Sequence, residues 1–181
     1  MPSFAADLGK VLYLAVCGAP PARTTTRAVI EAAQQAGWDV SVVATPSAAR
    51  RLPPGLVELT GHPVRSEARR PDESRYEPSA NAVLVAPATF HTINCWAAGL
   101  NDTLALGVLN EALGRSVPVA VYPWVNEALR AHPAFARSMA VLEGAGAYFA
   151  AVDPSNPPGE ASMASAAVDA LARIAATPPS L

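Results

Sequence analysis

A series of short apolar runs constrains this chain most. Each run is cut off by glycine, proline or a hydroxyl residue. Lys10–Val16 (KVLYLAV) ends in Cys17-Gly18-Ala19-Pro20-Pro21, Val40–Ala44 (VSVVA) in Thr45-Pro46-Ser47, and Asn81–Ala86 (NAVLVA) in Pro87. Val117–Val121 and Ala147–Ala151 continue the series. Apolar runs this short, bounded by such turns, read as buried strands. Helical patterns lie between them. Over Ala22–Ala36, Val29, Ile30 and Ala33 share one side, and Gly37 follows as a stop. Further helices are expected over Thr89–Ala98, Asp102–Leu113, Glu127–Arg130, Ala134–Glu143 and Glu160–Ala176. In the last of these, Met163, Ala167, Ala170, Leu171 and Ile174 form an apolar stripe that reads as core packing. Strand–helix–strand spacing of this kind implies an α/β fold with a parallel sheet covered on both faces. Arg50–Pro78 is the least regular stretch, read as a long loop with one short strand near Leu56–Leu59. The Pro-rich tail, residues 177–181, is expected to fray.

With 181 residues the chain reads as a single domain over residues 1–181, large enough to bury a core without disulfides or metals. Hydrophobic residues make up 51%, and 39 of those 92 are alanine, so leucine and valine carry most of the bulk. That content, with a net charge of only −2, excludes a disordered chain and offers no basic field for nucleic acid. Pro78–Asn101 is free of charge and long enough to cross a bilayer, but prolines and polar residues interrupt it, so no membrane span is expected. Arg65, Arg69, Arg70 and Arg75 cluster locally, yet Glu67, Asp72, Glu73 and Glu77 are interleaved with them, which reads as a solvated loop. Cys17 and Cys95 fit no metal or redox spacing, and no metal site is expected. The first residues lack the charged, apolar and cleavage regions of a secretory signal, so a reduced, cytoplasmic setting is the expectation.

In parallel sheets ligands bind beyond the carboxyl ends of the strands, so the residues directly after each strand matter most. The first such loop, Cys17–Ala22, has one glycine for close backbone approach and a helix start that can face an anion. It lacks the GxGxxG spacing of a dinucleotide site and is also compatible with plain strand-to-helix punctuation. Thr45 and Ser47 can cap a helix or hold a phosphate. The third loop, Ala86-Pro87-Ala88-Thr89-Phe90-His91-Thr92-Ile93-Asn94, is small, polar and uncharged apart from the titratable His91, and suits a flat, mostly neutral heterocycle. Asp102, in Gly99-Leu100-Asn101-Asp102-Thr103-Leu104, reads as a helix cap. A fourth loop, Tyr122-Pro123-Trp124-Val125-Asn126, brings an aromatic ring and an amide to the same edge.

Four segments together resemble one family. Ala86–Thr92 is similar to the PASANT motif of the homo-oligomeric flavin-containing cysteine decarboxylases, and Gly99…Asp102-Thr103-Leu104 to that family's G-x-A-D-N-L helix start. Pro123-Trp124-Val125-Asn126-Glu127-Ala128-Leu129, followed by His132-Pro133, resembles its P-x-M-N-x-x-M clamp, and Thr45-Pro46-Ser47-Ala48 its T-x-S-A phosphate loop. The matches run in order across residues 10–150. The resemblance implies a flavodoxin-like Rossmann architecture, a three-layer sandwich around a parallel sheet, that binds FMN and assembles as trimers or multiples of trimers. It implies that Gly18 and Ala19, with Thr45 and Ser47, hold the FMN phosphate. Pro87, Ala88, Thr89 and Thr92 would line the isoalloxazine, and Asn126 would face a thiol substrate, either a small molecule or a peptide.

Departures from the family pattern concern the chemistry. The family's catalytic histidine precedes the PASANT strand; the corresponding Arg69–Tyr76 loop has none, and His62 lies further upstream as the nearest candidate. His91 stands where the motif has asparagine, Cys95 where lysine follows, and Val125 and Leu129 where the clamp has methionines. His91 can serve as a base or carboxylate partner, or simply bond a backbone carbonyl. The implied activity is oxidative decarboxylation of a cysteine-type substrate. The alternatives are another flavin enzyme on the same scaffold, prenyltransferase-like or a small oxidoreductase, and a non-catalytic FMN-binding subunit.

Overall fold

A computed structural model of the protein describes residues 10–67, 79–152 and 160–176. The strands are β1 (Lys10–Val16), β2 (Trp38–Ala44), β3 (Ala82–Ala88), β4 (Val119–Pro123) and β5 (Ala147–Phe149). The helices are α1 (Ala22–Gln35), α2 (Pro46–Ala49), α3 (Leu56–Thr60), α4 (Phe90–Ala97), α5 (Leu104–Gly114), α6 (Glu127–Arg130), α7 (Pro133–Gly144) and α8 (Glu160–Ala176). The five strands form one sheet in the order β2-β1-β3-β4-β5, with every pair parallel. This is the flavodoxin-like order, in which the direction of winding reverses between β1 and β3 and opens a crevice at their carboxyl ends.

Two-residue periodicity along the strands divides the molecule into layers. Leu12, Leu14 and Val16 of β1 pack with Val29, Ile30 and Ala33 of α1 and with Met163, Ala167 and Leu171 of α8. The alternate residues Ala15 and Cys17 turn to the other face, among Ile93 and Trp96 of α4, Leu106 and Leu109 of α5, and Phe135 and Leu142 of α7. Burying each such aliphatic side chain is worth about 1.5–3 kcal/mol, and both faces of the central strands gain it. Alanine takes part in this packing. Ala164, Ala167 and Ala170 are all buried on α8, where small side chains let the helix lie close against α1 and the sheet.

Several sequence expectations need correction; β3, for one, runs through Pro87 to Ala88 instead of stopping at the proline. Leu56–Thr60 is a helix, not a strand. Gly55 (φ 77°) and Gly61 (φ 74°) bound it in the left-handed region, and Leu59 and Gly61 amides donate to the Gly55 and Val57 carbonyls. Its buried positions, Leu56 and Thr60, are four apart, a helical spacing hidden in so short a run. Next, β5 ends at Phe149, and α5 begins after Thr103 rather than at Asp102, because the Thr103 hydroxyl, not the carboxylate, accepts the Leu106 amide at 3.3 Å. Lastly, the loop expected over residues 50–78 adds to the sheet: the Arg65 amide donates to Val42 (3.0 Å) and its carbonyl accepts from Ala44 (2.7 Å), a parallel bridge along the outer edge of β2. Arg69, Arg70, Asp72, Glu73, Arg75 and Glu77 lie outside the described residues, as does the 177–181 tail. Among the described residues no helix is long and apolar enough to cross a membrane.

Candidate functional site

The carboxyl ends of β1, β2 and β3 meet around a cavity of about 500 Å3. That volume lies within the usual range for a small-molecule or cofactor site. At one end sit Gly18, Thr45, Pro46, Ser47 and Arg50; at the other, Thr89, His91 and Thr92, closed by Thr103 and Leu106 at the start of α5.

The first end is built on an approach that only glycine permits. A Cβ at Gly18 would lie 2.8 Å from Ser47 Cβ and closer still to its hydroxyl. The backbone after β1 therefore comes directly against the loop after β2. Thr45 accepts the Ala48 amide (3.3 Å) as the cap of α2, and its hydroxyl is 3.2 Å from that of Ser47. The Ala19 amide is occupied, donating to the Cys17 carbonyl at 2.8 Å. Ala19 is buried behind the turn, so Gly18 rather than Ala19 presents the backbone to the cavity. A bare backbone, two hydroxyls and a guanidinium fit a phosphate.

The second end repeats the capping device on α4. Thr89 accepts the Thr92 amide at 3.3 Å, and the two hydroxyls are 3.0 Å apart. Beneath them lies Cys17, wholly buried. Burial pushes its thiol pKa up, against hydrogen bonds with the Thr92 side chain and with the backbone and side chain of Thr89, so the sulfur is a neutral group in the core behind the threonines. Pro87 and Ala88 stand behind this loop and do not face the cavity directly. The Pro87 carbonyl, after a cis Ala86–Pro87 bond, accepts the Cys17 amide (3.1 Å), and that of Ala88 accepts the Trp124 amide (2.7 Å). They tie the ends of β1, β3 and β4 together and hold the threonines in place.

His91 is exposed in the first turn of α4 and lines the cavity. Cys95, one turn on, places its sulfur 3.6 Å from His91 Nε2. Partial burial, and then the charge of Asp102, raise the Cys95 pKa, so it too favours the neutral thiol.

Besides Ala19, Pro87 and Ala88, two further expected site residues do not line this cavity. Asn126 is exposed, and its side-chain oxygen accepts the Leu129 amide at 2.9 Å as the cap of α6. His62 pairs with Asp39 at 2.8 Å near the start of β2. Six residues of strand separate Asp39 from Thr45, roughly 20 Å at the rise of an extended chain. Within one subunit His62 therefore belongs to the opposite end of the sheet. His132 accepts the Ala134 amide at its Nδ1 (3.1 Å) and meets Phe90 edge-on, a helix cap with a packing role. Among the described residues no cluster of His, Cys, Asp or Glu has the make-up of a metal site.

Sequence reasoning missed Arg50, Thr103 and Leu106 as lining residues. Only the length of α2, a single turn, returns Arg50 to the loop it left. Thr103 was legible as part of a helix start, but not as a wall of this crevice.

A curated relative, the coenzyme A biosynthesis bifunctional protein of Thermococcus kodakarensis, is 29% identical over 164 residues, or 87% of this chain. The chain spans about 40% of that relative's length. Among solved structures, TvaF, an FMN-dependent cysteine decarboxylase from thioviridamide biosynthesis, is 24% identical with a TM-score of 0.68, covering 90% of this chain and 98% of its own. AnUbiX, solved with FMN and dimethylallyl pyrophosphate, is 16% identical with a TM-score of 0.71, covering 92% of each chain. At such identities these two establish the fold. The flavodoxin-like sheet order, the crevice at its reversal and a family match over residues 6–175 agree: the chain belongs to the Flavoprotein family.

Proposed function

We propose that this flavoprotein, with FMN as its cofactor, catalyses oxidative decarboxylation of a cysteine-type thiol, a small molecule or the C-terminal cysteine of a peptide. The observation that carries the reading is the two-ended cavity at the β1/β3 reversal. A glycine-and-hydroxyl end suited to a phosphate faces an uncharged, threonine-lined end suited to a flat ring. When bound, the flavin supplies the electron sink that accepts the substrate's hydride.

The chain's own residues do the rest. Gly18 admits the phosphate against bare backbone, while Thr45 and Ser47 donate their hydroxyls to it. Thr89 and Thr92 line the ring, and Pro87 and Ala88 fix their loop from behind. His91 faces the cavity from the first turn of α4 and holds the substrate carboxylate or takes the thiol proton. In this reading Asn126, whose oxygen caps α6 and which does not line the cavity of its own chain, offers its NH2 group to substrate only across a contact between subunits. His62 likewise acts from a neighbouring subunit or not at all. The whole chain works as one FMN-binding unit within a homo-oligomer, a trimer or a multiple of trimers. Leu100, Leu129 and Val141, large apolar side chains left exposed, all follow β3, which supports a subunit contact in that half.

The test is incubation of FMN-loaded protein with a panel of thiol acids and Cys-terminated peptides. Product should be lighter by about 46 Da, carbon dioxide plus two hydrogens. No such product across the panel would defeat the decarboxylase reading. Prenyl transfer from dimethylallyl phosphate, run in parallel, should give none.

A further inference from the structure

Ten side chains or backbones line the cavity, and Arg50 is the one permanent charge among them. Asp and Glu are absent from that lining, so nothing there neutralises the guanidinium. Arg50 stands at the end of α2, on the same loop that carries Thr45 and Ser47. It makes no hydrogen bond or ion pair with a described residue, whereas Arg27, Arg115 and Arg130 are held by Glu31, Glu111 and the Val125 carbonyl. Hydroxyls and amides orient a phosphate but leave its charge of about −1.5 to −2 uncompensated. A planar fork of donors, charged at every accessible pH, does both.

We infer that Arg50 is the residue by which the cavity tells a phosphorylated flavin from an unphosphorylated one, binding the FMN phosphate beside Thr45 and Ser47. The inference rests on the FMN reading above and adds to it a determinant of cofactor choice. It also assigns the cavity's one permanent cation to the cofactor, so no second permanent cation among the lining residues is left for a substrate phosphate.

The experiment is a fluorescence titration of flavin-stripped protein with FMN and with riboflavin, at low and high ionic strength. Wild type should prefer FMN, and salt should erode that preference. Arg50→Gln should lower FMN affinity roughly tenfold or more, the scale of one charge-assisted hydrogen bond, and leave riboflavin within about twofold. Arg50→Lys should recover part of the loss. Equal weakening of both flavins, or no change in either, would overturn the inference while leaving FMN binding intact. A wild type that binds neither flavin would overturn the FMN reading itself, and the inference with it.

Discussion

The two ends of the cavity use the same local device for different purposes. Thr45 and Thr89 each cap a helix with a hydroxyl that accepts an amide three residues on, and each has a second hydroxyl within 3.2 Å. Around Thr45 the loop is shaped by a missing side chain, at Gly18, and bordered by a permanent cation. Around Thr89 it rests on a buried thiol and is bordered by a titratable imidazole. In the proposed function the first end holds a group that does not change during the reaction and the second moves a proton. On that proposal binding and chemistry are separated along one crevice, and substitutions should affect one without the other.

The largest expected effect is at the second end. His91→Ala should lower turnover roughly 100-fold or more, in the range of lost acid–base catalysis, with FMN affinity nearly unchanged. Steady-state kinetics beside a flavin titration decides it, and a variant with wild-type turnover would remove His91 from the reaction. Gly18→Ala should do the converse. Overpacking against Ser47 costs about 1–3 kcal/mol, so the melting temperature should fall and FMN affinity should drop about tenfold or more. Ser47→Gly in the same chain should restore part of the melting temperature but not the hydroxyl's contact with the phosphate. If the double variant melts no higher than Gly18→Ala alone, the close approach is not what shapes that end.

A smaller effect separates the two caps. Thr89→Val removes the cap of an eight-residue helix packed in the core and should cost about 1 kcal/mol, or a few degrees in melting temperature. Thr45→Val caps only one turn and should cost less. Equal losses would show that the loops, not the helices, depend on these hydroxyls. The smallest effect is on thiol reactivity. Because burial and Asp102 raise the Cys95 pKa, its thiolate forms only at higher pH, and alkylation should be slow at neutrality and accelerate as pH rises. Asp102→Asn should speed it at fixed pH, and Cys17, wholly buried, should stay unmodified until the chain unfolds. Mass spectrometry of alkylated protein follows both.

The sheet was readable from the sequence because every strand is an apolar run ended by a turn residue. Three loops that line the cavity, after β1, β2 and β3, follow such runs directly. What could not be read was distance across the sheet. Nothing in the spacing from Ala44 to His62 says that the chain returns past α3 to the start of β2, where Asp39 waits. Arg50 was invisible for a related reason, since its place depends on α2 lasting one turn rather than three. Leu56–Leu59 carries too few positions, three apolar and one Glu, to distinguish a period of two from one of 3.6. The capping role of Asn126, by contrast, was open to discovery: an amide side chain directly before Glu127 is an ordinary helix start.

The backbone bridge from Arg65 to Val42 and Ala44 bears on how copies of this protein meet. It occupies donors and acceptors on the outer side of β2 that would otherwise offer a template for another strand, while β5, at the far side, is only three residues long. A sheet blunted at one border and abbreviated at the other gives poor purchase to strand-by-strand growth, the route to fibrous aggregates. The homo-oligomer proposed above is thereby expected to use the helical flanks, where packing between side chains can select a defined number of copies and a defined orientation.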